Sequence, residues 1–204
     1  MFAPSNVVKH PIDAYYYAML HIEPYKSQPM GAGLMRRSAD TEWRGWDDSG
    51  FNVRFVNPYT EPNLDPNNHI LQPVSFIEIE KMHESVTFNT YFNKFLLVGL
   101  TAQWENGELV YGFYYSLSDD MINWTLRKLL FEGIPLWKTD IWQPGDPNPI
   151  GYPSLIDPDS TSPVFDTTDQ EVFLYMTVFN FEGIGHLTAD ADLVRIPIKF
   201  FKYN

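Results

Sequence analysis

The chain echoes itself at a spacing of eighty residues, and this constrains its fold more than any other feature. Ser5-Asn6-Val7-Val8 is followed, ten positions after Ser5, by Tyr15-Tyr16-Tyr17-Ala18-Met19-Leu20. Ser85-Val86-Thr87-Phe88 is followed at the same interval by Phe95-Leu96-Leu97-Val98-Gly99-Leu100. Ser38-Ala39-Asp40 and Ser118-Asp119-Asp120 then stand 23 positions beyond Tyr15 and Phe95. A third opening, Pro153-Ser154-Leu155-Ile156, reaches Phe173-Leu174-Tyr175-Met176 across an insertion at residues 157–170.

Each unit reads as strand, tight turn, strand, loop, strand, turn, strand. Aromatic residues make up 16% of the chain and it carries 16 prolines and 12 glycines. Aromatic and β-branched residues suit a pleated, half-buried surface, and Pro and Gly punctuate turns. Fourth strands are expected at residues 51–56, 127–131 and 193–198, with an additional strand at 73–79 in the long connection 57–82. Repeated four-stranded antiparallel sheets in series are the sequence form of a β-propeller. The expectation is an all-β chain, a β-propeller of the five-bladed type, with about three four-stranded blades in an incomplete ring. The whole chain, 1–204, then forms one partial domain with repeat units at about 3–82, 83–150 and 151–204. A closed ring typically takes about four to eight blades. A fragment of a longer chain is the favoured reading, with self-association or a partner chain supplying the missing blades as the other routes.

Charge narrows the partners. Lys and Arg total 14 against 26 Asp and Glu, a net charge of −12. That balance opposes binding to phosphate backbones, so no nucleic-acid partner is expected. No Lys/Arg run exceeds Arg36-Arg37, which argues against a basic patch. No apolar run reaches the roughly 20 residues of a membrane helix, so no membrane partner is expected. The N-terminal residues carry no signal-peptide pattern, which leaves the location open. The chain has no cysteine. Its histidines (His10, His21, His69, His83, His186) lack ligand spacing, so neither a metal nor another cofactor is expected.

Several segments carry a family likeness: Ala3-Pro4-Ser5-Asn6-Val7-Val8-Lys9-His10, His83-Glu84-Ser85, Tyr114-Tyr115-Ser116-Leu117-Ser118-Asp119-Asp120 through Trp124, and Tyr152-Pro153-Ser154-Leu155-Ile156-Asp157-Pro158. Together they resemble bacterial five-bladed propellers of the glycoside hydrolase family 43 kind. The resemblance implies a central carbohydrate cleft and an inverting mechanism run by three carboxylates: a general base, a general acid Glu and an Asp that tunes the acid. The blade that carries the base has no counterpart here, so the chain alone is expected to be inactive toward aryl glycosides.

Inverting hydrolysis needs two carboxyl groups about 6.5–9.5 Å apart, one protonated and one ionised. Acids at the leading ends of innermost strands converge on a propeller axis. Glu84 opens the first strand of the second unit and is the candidate acid, since an apolar setting raises a carboxyl pKa. Asp157 is the candidate tuning or substrate-binding residue. Both have plainer readings: Glu84 as an ion pair with His83, and Asp157-Pro158-Asp159-Ser160 as a turn. His21 and His83 are placed to reach the same channel. Trp137, Trp142 and Asp146 form a loop stretch suited to sugars, because tryptophan faces stack on sugar rings and Asp accepts their hydroxyl hydrogens. A glycan-binding propeller without catalysis is the alternative function.

Overall fold

The computed structural model describes residues 5–23, 30–57, 59–138, 140, 142–143, 145–181 and 187–202. His186 and the start of the first repeat, Ala3-Pro4, lie outside them. The first sheet runs β1 (Val8–Lys9), β2 (Tyr16–Ile22), β3 (Gly31–Arg37), β4 (Arg44–Gly45) and β5 (Val53–Arg54) in sequential order. A short helix, α1 (Phe76–Ile79), leads to the second sheet: β6 (Ser85–Asn89), β7 (Lys94–Glu105), β8 (Glu108–Ser118) and β9 (Lys128–Glu132). The third sheet contains β10 (Ile150–Ile156), then β12 (Glu171–Phe181) and β13 (Leu187–Lys199), while β11 (Thr167–Thr168), between them in sequence, pairs elsewhere.

The middle sheet explains why β7 is apolar without interruption. Successive strand side chains point to opposite faces. Phe95 and Leu97 therefore enter one core with Tyr17, Met19 and Leu34 of the first sheet. Leu96, Val98 and Leu100 enter a second core with Leu155, Leu174 and Met176 of the third. A strand covered on both faces needs apolar residues at every position. The second sheet is thus flanked by the first and third.

The echo survives as register. Tyr16 pairs with Arg37 in the first sheet and Leu96 with Leu117 in the second, each eighty residues on. The innermost strands are slid by two residues, since Val8 pairs with Tyr17 but Phe88 with Phe95. A slide of two keeps every side chain on its own face. Innermost segments also meet between sheets. The Asn6 amide donates to the Val86 carbonyl (2.6 Å) and its Oδ1 accepts the Val86 N–H (2.9 Å). The Ser85 hydroxyl oxygen accepts the Leu155 N–H at 3.0 Å.

Four sequence expectations need correction. In the first sheet β4 is the fourth strand, and Val53–Arg54 is a fifth. The strand expected at 73–79 is instead α1, apart from a single bridge between Pro73 and Gly33. Its amides are satisfied locally, with Glu78 and Ile79 donating to the Ser75 carbonyl, and Ile79 is fully buried. The third sheet holds three strands rather than four, with residues 193–198 lying in its third strand, β13, directly on β12. The insertion 157–170 contributes β11, which joins the second sheet by parallel pairing with β6.

Candidate functional site

Gly99 on β7 makes room for the central side chain. A Cβ at this position would lie 2.5 Å from Glu84 Oε2 and 2.7 Å from the Met82 Cβ. Without one, the Glu84 side chain folds against β7. Its Oε1 accepts the Leu100 N–H at 3.1 Å and its Oε2 accepts the His83 N–H at 2.9 Å. The side chain is only 20% exposed. Burial pushes its pKa above the ordinary carboxyl value, against the opposing pull of His83 and the two amides.

Two imidazoles adjoin it. His83 Nδ1 lies 2.8 Å from the Lys81 carbonyl and 3.8 Å from Glu84 Oε2. A carbonyl only accepts, so Nδ1 carries the proton and Nε2 holds the lone pair when the ring is neutral. The His21 ring, on β2, stands 5.5 Å from the His83 ring, and its Nε2 is 3.4 Å from Glu23 Oε1. Glu23 and Glu84 thus terminate a row with two imidazoles between them. Burial lowers the His21 pKa from its ordinary 6.5, Glu23 pulls it up, and His83 and Lys81 push it down again.

The two shifts act on stability in opposite senses. His21 binds a proton less tightly folded than unfolded, so it weakens folding as pH falls below 6.5. Glu84 binds its proton more tightly when folded. It favours folding on acidification and costs stability as pH rises through its folded value.

Tyr152 supplies an aromatic face that sequence reasoning missed. It sits in β10 at φ 53°, where the pairing with β12 slips between Gly151 and Ser154, and its side chain is 69% exposed. A positive φ is rare for a bulky residue, and such outliers cluster at binding sites. Leu155, three residues on, donates its N–H to the Ser85 hydroxyl, and the Tyr152 ring itself lies 6.0 Å from the Phe179 ring of β12. The only sequence signal is a large aromatic wedged between Gly151 and Pro153.

The other candidates are placed differently. Asp157 is buried, and its two oxygens accept the Asp159 and Asp169 N–H groups at 2.9 and 3.0 Å. The Asp169 carbonyl in turn accepts from the Asn89 amide. Asp157 is therefore tied through Asp169 toward the Asn89 end of β6, while Leu155, two residues before it, bonds Ser85. It closes its own loop and is not brought to Glu84. Trp137 is exposed in a single helical turn. The neighbouring Lys138 ammonium lies 5.9 Å from the Tyr111 ring, and Tyr111 pairs with Ala102, two residues beyond Leu100. That turn thus stands on the Glu84 end of the second sheet. Trp142 is buried, and Asp146 Oδ2 accepts the Gln143 N–H at 2.8 Å, closing a turn. Residues 139, 141 and 144 of that loop lie outside the described residues.

Among the described residues no group of three or more His, Cys, Asp and Glu is arranged to hold a metal. The comparisons do not place the chain in a family: no family model, no curated protein and no solved structure matches it.

Proposed function

We propose that the chain forms part of a carbohydrate-active β-propeller and that the leading end of β6 is its sugar pocket. Three sheets that meet through their innermost strands support the radial reading. Rings of this kind hold about four to eight blades, so further sheets would complete this one. The observation that carries the function is the buried Glu84 carboxyl with its raised pKa, beside His83 and with the His21 ring next in line. A carboxyl whose pKa burial raises is better suited to donate a proton to a glycosidic oxygen, in keeping with a glycoside hydrolase of inverting type. Tyr152 offers a ring face to the apolar side of a sugar.

A specific observation favours the non-catalytic alternative, a glycan-binding propeller. Both Glu84 oxygens already accept backbone amides, and both oxygens of Asp157, the second carboxylate, are taken up by the amides of Asp159 and Asp169. Calorimetric titration with neutral furanosidic and pyranosidic oligosaccharides tests the shared claim. Tyr152→Ala is expected to weaken binding about tenfold, the equivalent of roughly 1.4 kcal/mol. Unchanged affinity in that variant removes the pocket. Turnover of an aryl glycoside that disappears in Glu84→Gln decides for the catalytic reading; binding without turnover decides for the alternative.

A further inference from the structure

The first sheet builds a basic cluster that no run of sequence announces. Arg36 on β3 pairs directly with Arg44 on β4, and Arg44 with Arg54 on β5. Directly opposed residues share a face, and like charges so placed oppose each other. The short run Arg36-Arg37 argues against a basic patch, but pairing across strands gathers three arginines that stand eight to ten residues apart in sequence. Each is treated differently. Arg54 is bound to Glu61 at 2.8 Å. Among the described residues, the carboxylate nearest Arg44 in an ion pair is the exposed Glu42, at 3.9 Å. The Arg36 guanidinium lies 4.5 Å from the Tyr15 ring centroid and 4.1 Å from that of Phe51. Two aromatic contacts and a 3.5 Å hydrogen bond to the Tyr17 hydroxyl hold it in place.

A cavity of about 460 Å³ opens beside Arg36 and Arg44 of this row, lined also by Tyr15, Arg37, Thr41, Glu42 and Phe51. That volume lies in the range of small-molecule sites. Arg36 and Arg44 line it with one carboxylate, Glu42, in a chain of net charge −12, while the Arg37 guanidinium donates to the Ser38 and Ala39 carbonyls. The arrangement is costly to an empty protein and favourable to an anion, because guanidinium forks match oxyanions with paired hydrogen bonds.

We propose that this cavity binds a small organic anion, a ring compound bearing a carboxylate, sulfate or phosphate group, with the oxyanion between Arg36 and Arg44 and the ring against Tyr15 or Phe51. The site is separate from the sugar pocket. Tyr15 and His21 stand about 20 Å apart along β2 at roughly 3.3 Å per residue, so this proposal does not depend on the function proposed for Glu84.

Calorimetry at low ionic strength tests it, with glucuronate, glucose 6-sulfate and glucose 6-phosphate as probes and glucose as the neutral control. At least one anionic probe is expected to bind ten or more times tighter than glucose, and the probe that binds best identifies the oxyanion. Arg44→Gln is expected to reduce that affinity at least tenfold while leaving the melting temperature of the ligand-free protein equal or higher, since it relieves the like-charge row. Arg36→Lys, which keeps the charge and loses the planar fork, is expected to lose most of the binding as well. Equal responses to glucose and the three anions overturn the proposal. So does anion binding that persists in Arg44→Gln, or an Arg44→Gln protein whose melting temperature falls.

Discussion

Arg127→Met is expected to lower the free energy of unfolding by about 3 kcal/mol, the low end of the loss on breaking a buried ion pair. The Arg127 side chain is 9% exposed, and its Nη2 donates to Glu80 Oε1 at 3.0 Å and to the Ala102 carbonyl at 3.2 Å. Its Nη1 donates to the carbonyls of Ile77 and Glu78 at 3.0 and 3.2 Å. One side chain thereby anchors α1, the segment leading into β6, and β7. Methionine fills a similar volume but removes the side-chain donor from the Ile77 and Ala102 carbonyls, while the Glu78 carbonyl keeps the residue-127 N–H. Glu80 is 40% exposed and rehydrates, which holds the loss toward the lower bound. Urea denaturation measures it; a loss under about 1 kcal/mol would show that the guanidinium contributes packing alone. Amide exchange in residues 76–84 is expected to rise in the same variant, because the segment that carries His83 and Glu84 loses its anchor.

Gly99→Ala is expected to cost about 3 kcal/mol, at the upper end of ordinary overpacking. The new methyl would meet Glu84 Oε2 at 2.5 Å and the Met82 Cβ and Cα at 2.7 and 2.8 Å. A rotamer change can move the carboxylate, but the Met82 Cα moves only with the backbone. The added Glu84→Ala substitution is therefore expected to restore only part of the loss, and full restoration would show that the carboxylate was the sole obstacle. Sugar binding is expected to fall in Gly99→Ala, since the shift of Glu84 breaks its bond to the Leu100 N–H.

Legibility in the sequence followed the range of the interactions. β7 was readable because a strand buried on both faces must be apolar at each position, and Phe95 through Leu100 are. The pairing of β2 with β3 and of β7 with β8 was readable through the constant offset, which reports register directly. α1 was not, because its four residues are held by local amide bonds and by Arg127, some fifty positions on. β11 was hidden because its partners in β6 lie 79 residues earlier, and no turn signal marks a parallel crossover. At the site, the adjacency of His83 and Glu84 was plain. The approach of His21 to His83, the strained bulge at Tyr152 and the tie of Asp157 to the Asp169 N–H depend on how sheets face one another. The arginine row was invisible for the same reason. Its members alternate with apolar and turn residues, and cross-strand pairing alone brings them together.

The sugar pocket is tested most directly by following the His and Tyr ring resonances while neutral oligosaccharides are added to the protein. The account predicts that His21, His83 and Tyr152 shift together along one binding curve, while His10 and His69, in the connections outside the strands, stay in place. Shifts that bypass the His21–His83 pair, or none at saturating sugar, would contradict it.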